Sequence, residues 1–250
     1  MGIGASMALY AGGMVLNDLV DQERDRTLHP DRPLPSGALS RGLAWKVVTG
    51  LGMLGLMMAA GAGLRVLMVA LMLAACISAY NLWLKKFELP GSLAMGVCRA
   101  LNVLMGLSLG NLTGTPGWMP AVTIGFFVFG LTWFSTSEEQ PGSRSGVGGI
   151  AVMWTVLVVV MGWWMAKMTH GWWGLPAAVI AWMMISLGLD ALNKQLTKAS
   201  TQSWVGRLVR NLIAWDAAWA GALVGWKAMA GVWVLMIPGY LLTRGTKSSS

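Results

Sequence analysis

Charge is scarce in this sequence. Asp, Glu, Lys and Arg make up 11% of its 250 residues, against about 25% in an ordinary soluble domain. That deficit excludes a conventional water-soluble globule and points to burial in lipid. Cysteine is nearly absent too. Cys76 and Cys98 are the two present, both inside apolar runs, so they read as small packing residues and give no disulfide framework. The two histidines, His29 and His170, are too few for a histidine-built zinc centre. No small-residue cleavage site follows the first apolar run, so no cleavable leader is expected. No polar stretch is long enough to fold as a soluble domain of its own.

What the chain has is hydrocarbon: 56% of its residues are hydrophobic. Crossing a bilayer takes roughly 20 apolar residues at about 1.5 Å of rise each. Runs of that kind lie at about 3–19, 42–61, 66–84, 91–110, 119–137, 147–168, 172–191, 207–225 and 228–243, the last being short. They are continuous rather than alternating, and lipid admits only helices or closed barrels. The expected fold is therefore all-α, a polytopic transmembrane bundle of about nine spans. It forms a single domain over 1–246, with a disordered Ser-rich tail at 247–250.

The net charge of +8 could suggest nucleic acid, but its distribution argues otherwise. If the spans alternate, Arg65, Lys167 and Lys227 fall on one side of the membrane and Arg99 falls within a span. All the remaining lysines and arginines fall on the opposite side. That segregation is the positive-inside pattern, which makes the basic side cytoplasmic. Most acids share that side. The expectation is an integral protein of a bacterial inner membrane, in contact with lipid and not with nucleic acid, its acidic motifs facing the cytoplasm.

The most informative segment is a polar block, residues 17–37. Asp18, Asp21 and Asp25 are spaced i, i+3 and i+7, so a helix places them on one face. Three carboxylates there repel one another unless a cation intervenes. Mg²⁺, a hard ion that shares oxygen ligands with phosphates, suits Asn17, Asp18, Asp21 and Asp25. The plainer reading is a solvated helix end in which Arg24 and Arg26 pair with the aspartates. Pro30, Pro33 and Pro35 then break the helix, and Ser36-Gly37 turns the chain.

Glu138 and Glu139 end the fifth run on the same side and could hold a second metal on the far flank of a diphosphate. Arg99 and Asp216 lie within spans, where a charge is costly and is paired or functional. They could pair with each other, or Arg99 could contact an anionic substrate, with Asn102 one turn on in the same cavity. Tyr80, Asn81, Lys85 and Lys86 end the third run. Lysines there commonly reach out to the interface, but they could also grip phosphate.

The run Asn17-Asp18-x-x-Asp21-x-x-x-Asp25, followed by Arg32-Pro33-Leu34-Pro35-Ser36-Gly37, resembles the first signature of the UbiA superfamily of intramembrane prenyltransferases. Tyr80 to Lys85, Cys98 to Asn102 and Gly130 to Phe134 resemble its EboC-like branch. The resemblance implies a helical bundle around a central cavity and Mg²⁺-dependent transfer of a prenyl group from a prenyl diphosphate to an aromatic or other lipophilic acceptor. Asn17, Asp18, Asp21, Asp25, Glu138 and Glu139 would bind Mg²⁺–diphosphate, with Asp18, Asp21, Asp25 and Glu138 on the metal. Arg32, Lys85 and Arg99 would contact diphosphate, and Tyr80, Asn81 and Asn102 would line the cavity. No general base is assigned. By the same comparison one N-terminal helix of the family is missing, and the second acidic motif aligns only at Glu138, with Glu139 beside it. That thinner motif leaves a second reading, a non-catalytic membrane protein that binds prenyl diphosphate.

Overall fold

The computed structural model describes residues 1–110, 117–136, 144–168, 170–194 and 198–234. Glu138, Glu139, the tail at 247–250 and the second half of the ninth expected span lie outside the described residues. The chain falls into two compact units, Met1–Gly125 and Phe126–Ser250. All regular structure among the described residues is helical.

The first unit holds α1 (Gly2–Leu28), α2 (Arg41–Ala62), α3 (Leu64–Leu82) and α4 (Glu88–Leu107). A short 3-10 turn, Leu84–Lys86, joins α3 to α4. α5 (Met119–Thr136) begins in this unit and continues into the second. The second unit adds α6 (Arg144–Met165), α7 (Gly171–Lys194), α8 (Lys198–Leu223) and α9 (Trp226–Val234). Helices α1 to α5 are long and apolar enough to cross a membrane, so the chain is an integral membrane protein.

Helix ends follow local chemistry. α1 continues through the carboxylate block to Leu28, well past the apolar run, because nothing before Pro30 breaks it. Proline disfavours helical geometry in the residue before it, and His29 adopts φ −143° with its N–H returned to the Asp25 carbonyl. Ser40 opens α2 by accepting the Leu43 N–H at 3.3 Å, a standard N-cap. Gly63, at φ +128°, alone separates α2 from α3, a conformation open to glycine. The polar stretch expected between the seventh and eighth spans is largely helical instead: α7 runs to Lys194 and α8 starts at Lys198.

Lipid supplies no hydrophobic drive for one apolar helix to leave it for another, so small residues that permit close packing decide the contacts. In the first unit α1 lies against α2 through Ala5 and Leu9 facing Gly55, and through Gly12 facing Val48, Leu51 and Gly52. A Cβ on Gly55 would meet Leu9 Cγ at 2.8 Å and the Ala5 carbonyl at 3.3 Å. The core continues through Val66, Val69, Ala70, Leu73 and Met105. Met7, Tyr10, Met14, Met53, Met57, Leu71 and Leu93 are exposed, an apolar exterior suited to lipid. Asn102 on α4 donates from Nδ2 to Ser6 Oγ on α1 at 2.7 Å. Such a tie between membrane helices is worth about 0.6 kcal/mol on average.

The second unit packs around an aromatic stack. The Phe127 ring lies 5.1 Å from that of Trp154 and 5.2 Å from that of Trp215, and all three are fully buried. Asn211 on α8 donates to the Ala181 carbonyl on α7 at 2.9 Å. The two helices approach so closely that a Cβ on Gly174 would collide with the Ala218 carbonyl. Lys167 sits 3.3 Å over the Trp163 ring, the kind of cation–aromatic pair expected at a membrane interface. Gly174→Ala should destabilise this unit by about 1–3 kcal/mol, because the clashing partner is backbone and cannot rotate away. Thermal unfolding in detergent, followed by tryptophan fluorescence, checks this.

Candidate functional site

The polar extension of α1 and the turn after α3 meet in one place. Lys85 Nζ lies 2.7 Å from Asp21 Oδ1 and 3.1 Å from Asn17 Oδ1. Asn17 and Asp21 are one helical turn apart, so one ammonium bridges both. The Lys85 side chain is only 14% exposed and that of Asp21 24%. Lys86, its neighbour, is exposed. Both could be interfacial anchors by sequence, yet Lys85 alone is turned inward.

The turn that carries Lys85 is clamped from behind by α4. A Cβ on Gly91 would meet the Leu84 carbonyl at 3.0 Å and Lys85 Cα at 3.1 Å. Both are backbone atoms, so only glycine lets α4 press on the turn this closely. Tyr80 is half-buried, within electrostatic range of Asp21. Asn81 is buried; its Nδ2 donates to the Ile77 carbonyl at 2.9 Å, and its Oδ1 has no hydrogen-bond partner among the described residues.

The loop after α1 folds back onto the helix. Leu34 is buried with Leu19 and Ala44, against Val15, Leu39 and Val48. That anchor places Arg32 so that its Nη1 reaches Asp25 Oδ2 at 2.6 Å. Gly37, at φ +81°, lets the chain reverse toward Ser40. Arg26 pairs with Glu23 at 3.0 Å rather than with an aspartate.

Sequence reasoning required a cation among the three aspartates. The structure supplies two from the protein itself, Lys85 for Asp21 and Arg32 for Asp25. Asp18 is exposed. The three do not gather into a ready-made carboxylate cluster: among the described residues no group of three or more His, Cys, Asp and Glu is placed to share a metal. The reason is that the folded-back loop gives the buried Asp25 its own partner, the exposed Arg32. Arg99 is half-buried on α4 in the first unit, whereas Asp216 belongs to the second. Asn102, expected along a cavity, is engaged with Ser6.

Several neighbours were not singled out by sequence. Gln22 is buried, and its Oε1 has no partner among the described residues. It stood in the polar block but broke the aspartate spacing. Gly91 acts only through tertiary contacts and gave no signal, whereas Leu34 was marked as part of the RPLPSG run but not as a packing anchor. Cys76 and Cys98 remain free thiols, with their sulfurs 3.3 Å apart across α3 and α4.

The donor set suits a hard cation. Asn17 and Asp21 already hold one, an ammonium standing where a metal could sit, and Asp18 is open beside them. Mg²⁺ commonly takes one or two carboxylates and completes its shell with water and substrate phosphates, so a full carboxylate cage is not needed.

Arg32→Ala should cost about 1–3 kcal/mol, because it strands a buried carboxylate. Adding Asp25→Ala to that variant should recover part of the loss. A double-mutant cycle by thermal denaturation in detergent reads the coupling.

Comparison with known proteins bears on this geometry. The chain is 31% identical over 162 residues to the digeranylgeranylglyceryl phosphate synthase of Sulfolobus acidocaldarius, covering 62% of this chain and 58% of that protein. It is 36% identical over 96 residues to the synthase of the same name from Metallosphaera sedula, covering 38% and 34%. The chain thus spans about half the length, or less, of these curated relatives, which are archaeal rather than bacterial. A solved structure described as giving insight into digeranylgeranylglyceryl phosphate synthase in membranes shares the fold. Its TM-score is 0.64 at 21% identity, covering 86% of this chain and 82% of that one. The family model described as the UbiA prenyltransferase family matches residues 1–205, so the chain belongs to that family.

Proposed function

We propose that this protein is a membrane prenyltransferase whose diphosphate site is the polar end of α1 together with the turn after α3. The observation that carries this is the inward Lys85, which holds the Asn17 and Asp21 oxygens at the end of an apolar helix. An ammonium and oxygen donors that face each other there offer both signs of charge to a metal-bound diphosphate. Family membership and the named relatives support the same reading.

In this reading Asn17, Asp18 and Asp21 hold Mg²⁺ at the substrate. The ion, when bound, draws charge from the departing diphosphate as a Lewis acid. Lys85 donates to the diphosphate oxygens. Arg32 keeps Asp25 and the loop in place at the rim. Glu138 and Glu139, the second acidic pair read from the sequence, lie outside the described residues. The allylic C–O bond breaks with its electron pair leaving on diphosphate. The electron-deficient carbon then bonds to a nucleophilic atom of a lipophilic acceptor, which gives up a proton. The named relatives point to a glyceryl phosphate lipid as the acceptor class ahead of an aromatic one. The charge bias favours a cytoplasmic opening.

Purified protein should release diphosphate from radiolabelled prenyl diphosphates only with Mg²⁺ and an acceptor, either geranylgeranylglyceryl phosphate or an aromatic acid. Asp18→Ala combined with Asp21→Ala should cut that release about 100-fold or more, the scale for losing groups that stabilise developing charge. Undiminished release would remove these residues from the site. Tight Mg²⁺-dependent binding without turnover would instead support the non-catalytic binding protein.

A further inference from the structure

We infer that Lys85 is a placeholder cation: it occupies the Asn17 and Asp21 oxygens until substrate arrives, then exchanges Asp21 for the diphosphate, so that metal and diphosphate each favour the entry of the other. The inference rests on the proposed function and concerns the order in which that site fills.

The geometry sets up such an exchange. Lys85 Nζ spans Asp21 Oδ1 at 2.7 Å and Asn17 Oδ1 at 3.1 Å, little exposed to solvent. A divalent ion arriving alone would have to take these oxygens from an ammonium and leave that ammonium half-buried with no counter-charge. Stranding a charge away from water is costly. If a diphosphate arrives with the ion, the ammonium is given new oxygens as it gives up the old ones. The two ligands therefore strengthen each other, and linkage makes the coupling equal in both directions.

The movement required is confined to one side chain. A Cβ on Gly91 would meet the Leu84 carbonyl at 3.0 Å and Lys85 Cα at 3.1 Å, so glycine lets α4 press closely on the turn. The backbone is held while the four-carbon stem remains free to turn about its own bonds. Arg32 has no such freedom of exchange, because its partner Asp25 is buried at 5% exposure under a loop pinned by Leu34. The two basic side chains thus divide the work, Lys85 moving between partners and Arg32 staying with one.

Mn²⁺ serves as the probe, its binding followed by electron paramagnetic resonance in detergent with no turnover required. The wild type should bind Mn²⁺ weakly alone and at least about tenfold more tightly with a non-hydrolysable prenyl thiodiphosphate, within the usual range of coupling. Lys85→Met should bind Mn²⁺ alone about tenfold more tightly than wild type and show a smaller enhancement by thiodiphosphate. Lys85→Arg should keep the weak metal-alone binding. Melting curves of each variant show whether the fold is retained. Asp21→Asn, which keeps the shape but not the charge, should remove the gain seen in Lys85→Met. Metal-alone binding by Lys85→Met no tighter than wild type would overturn the placeholder role. If thiodiphosphate binds no variant with any metal, the proposed function fails instead, and the metal-alone comparison still decides the placeholder.

Discussion

A carboxylate at the end of an apolar helix, drawn partly out of water, has to find a cation. Asp21 finds Lys85 and Asp25 finds Arg32. Each pair joins segments that the sequence holds apart, the turn after α3 in one case and the loop after α1 in the other. These pairs fix the polar layer of the first unit. Everything proposed for the site depends on which of the two can be exchanged. The answer lies in burial: Asp21 keeps some access to solvent, whereas Asp25 has almost none.

The polar layer needs rigid walls, and those come from residues with little or no side chain. Gly55 brings α2 onto α1, Gly91 brings α4 onto the Lys85 turn, and Gly174 brings α7 onto α8. Lipid gives helices no reward for hiding apolar surface from it, so close backbone approach and van der Waals contact replace the hydrophobic effect as the packing force. In the first unit several large apolar side chains, among them Met7, Met14, Met57 and Leu71, face outward.

Much of this was legible in advance. Continuous apolar runs located the helices, since their length is set by the bilayer and needs no tertiary knowledge. The proline cluster placed the end of α1, and the NDxxDxxxD and RPLPSG runs marked the site and the family. The block was less transparent in its detail. Spacing put Asp18, Asp21 and Asp25 on one face, but it could not show that the loop folds back and takes Asp25 for Arg32. The resemblance singled out Lys85 over Lys86, but it was the turn between α3 and α4 that revealed Lys85 pointing inward at Asn17 and Asp21. Gly91 was invisible because its importance lies entirely in what packs against it, and Leu34 was visible only as a letter of its motif.

The sequence by itself determined the membrane class, the all-helical fold, the polar end of α1 and membership of the UbiA prenyltransferase family. Each of these depends on local composition or a contiguous motif. Only the tertiary structure decided which cation serves which carboxylate, because those pairs join positions as far apart as Asp21 and Lys85. Their meeting depends on how closely glycine lets the helices come together, a property of the packed helices that no single stretch of sequence encodes.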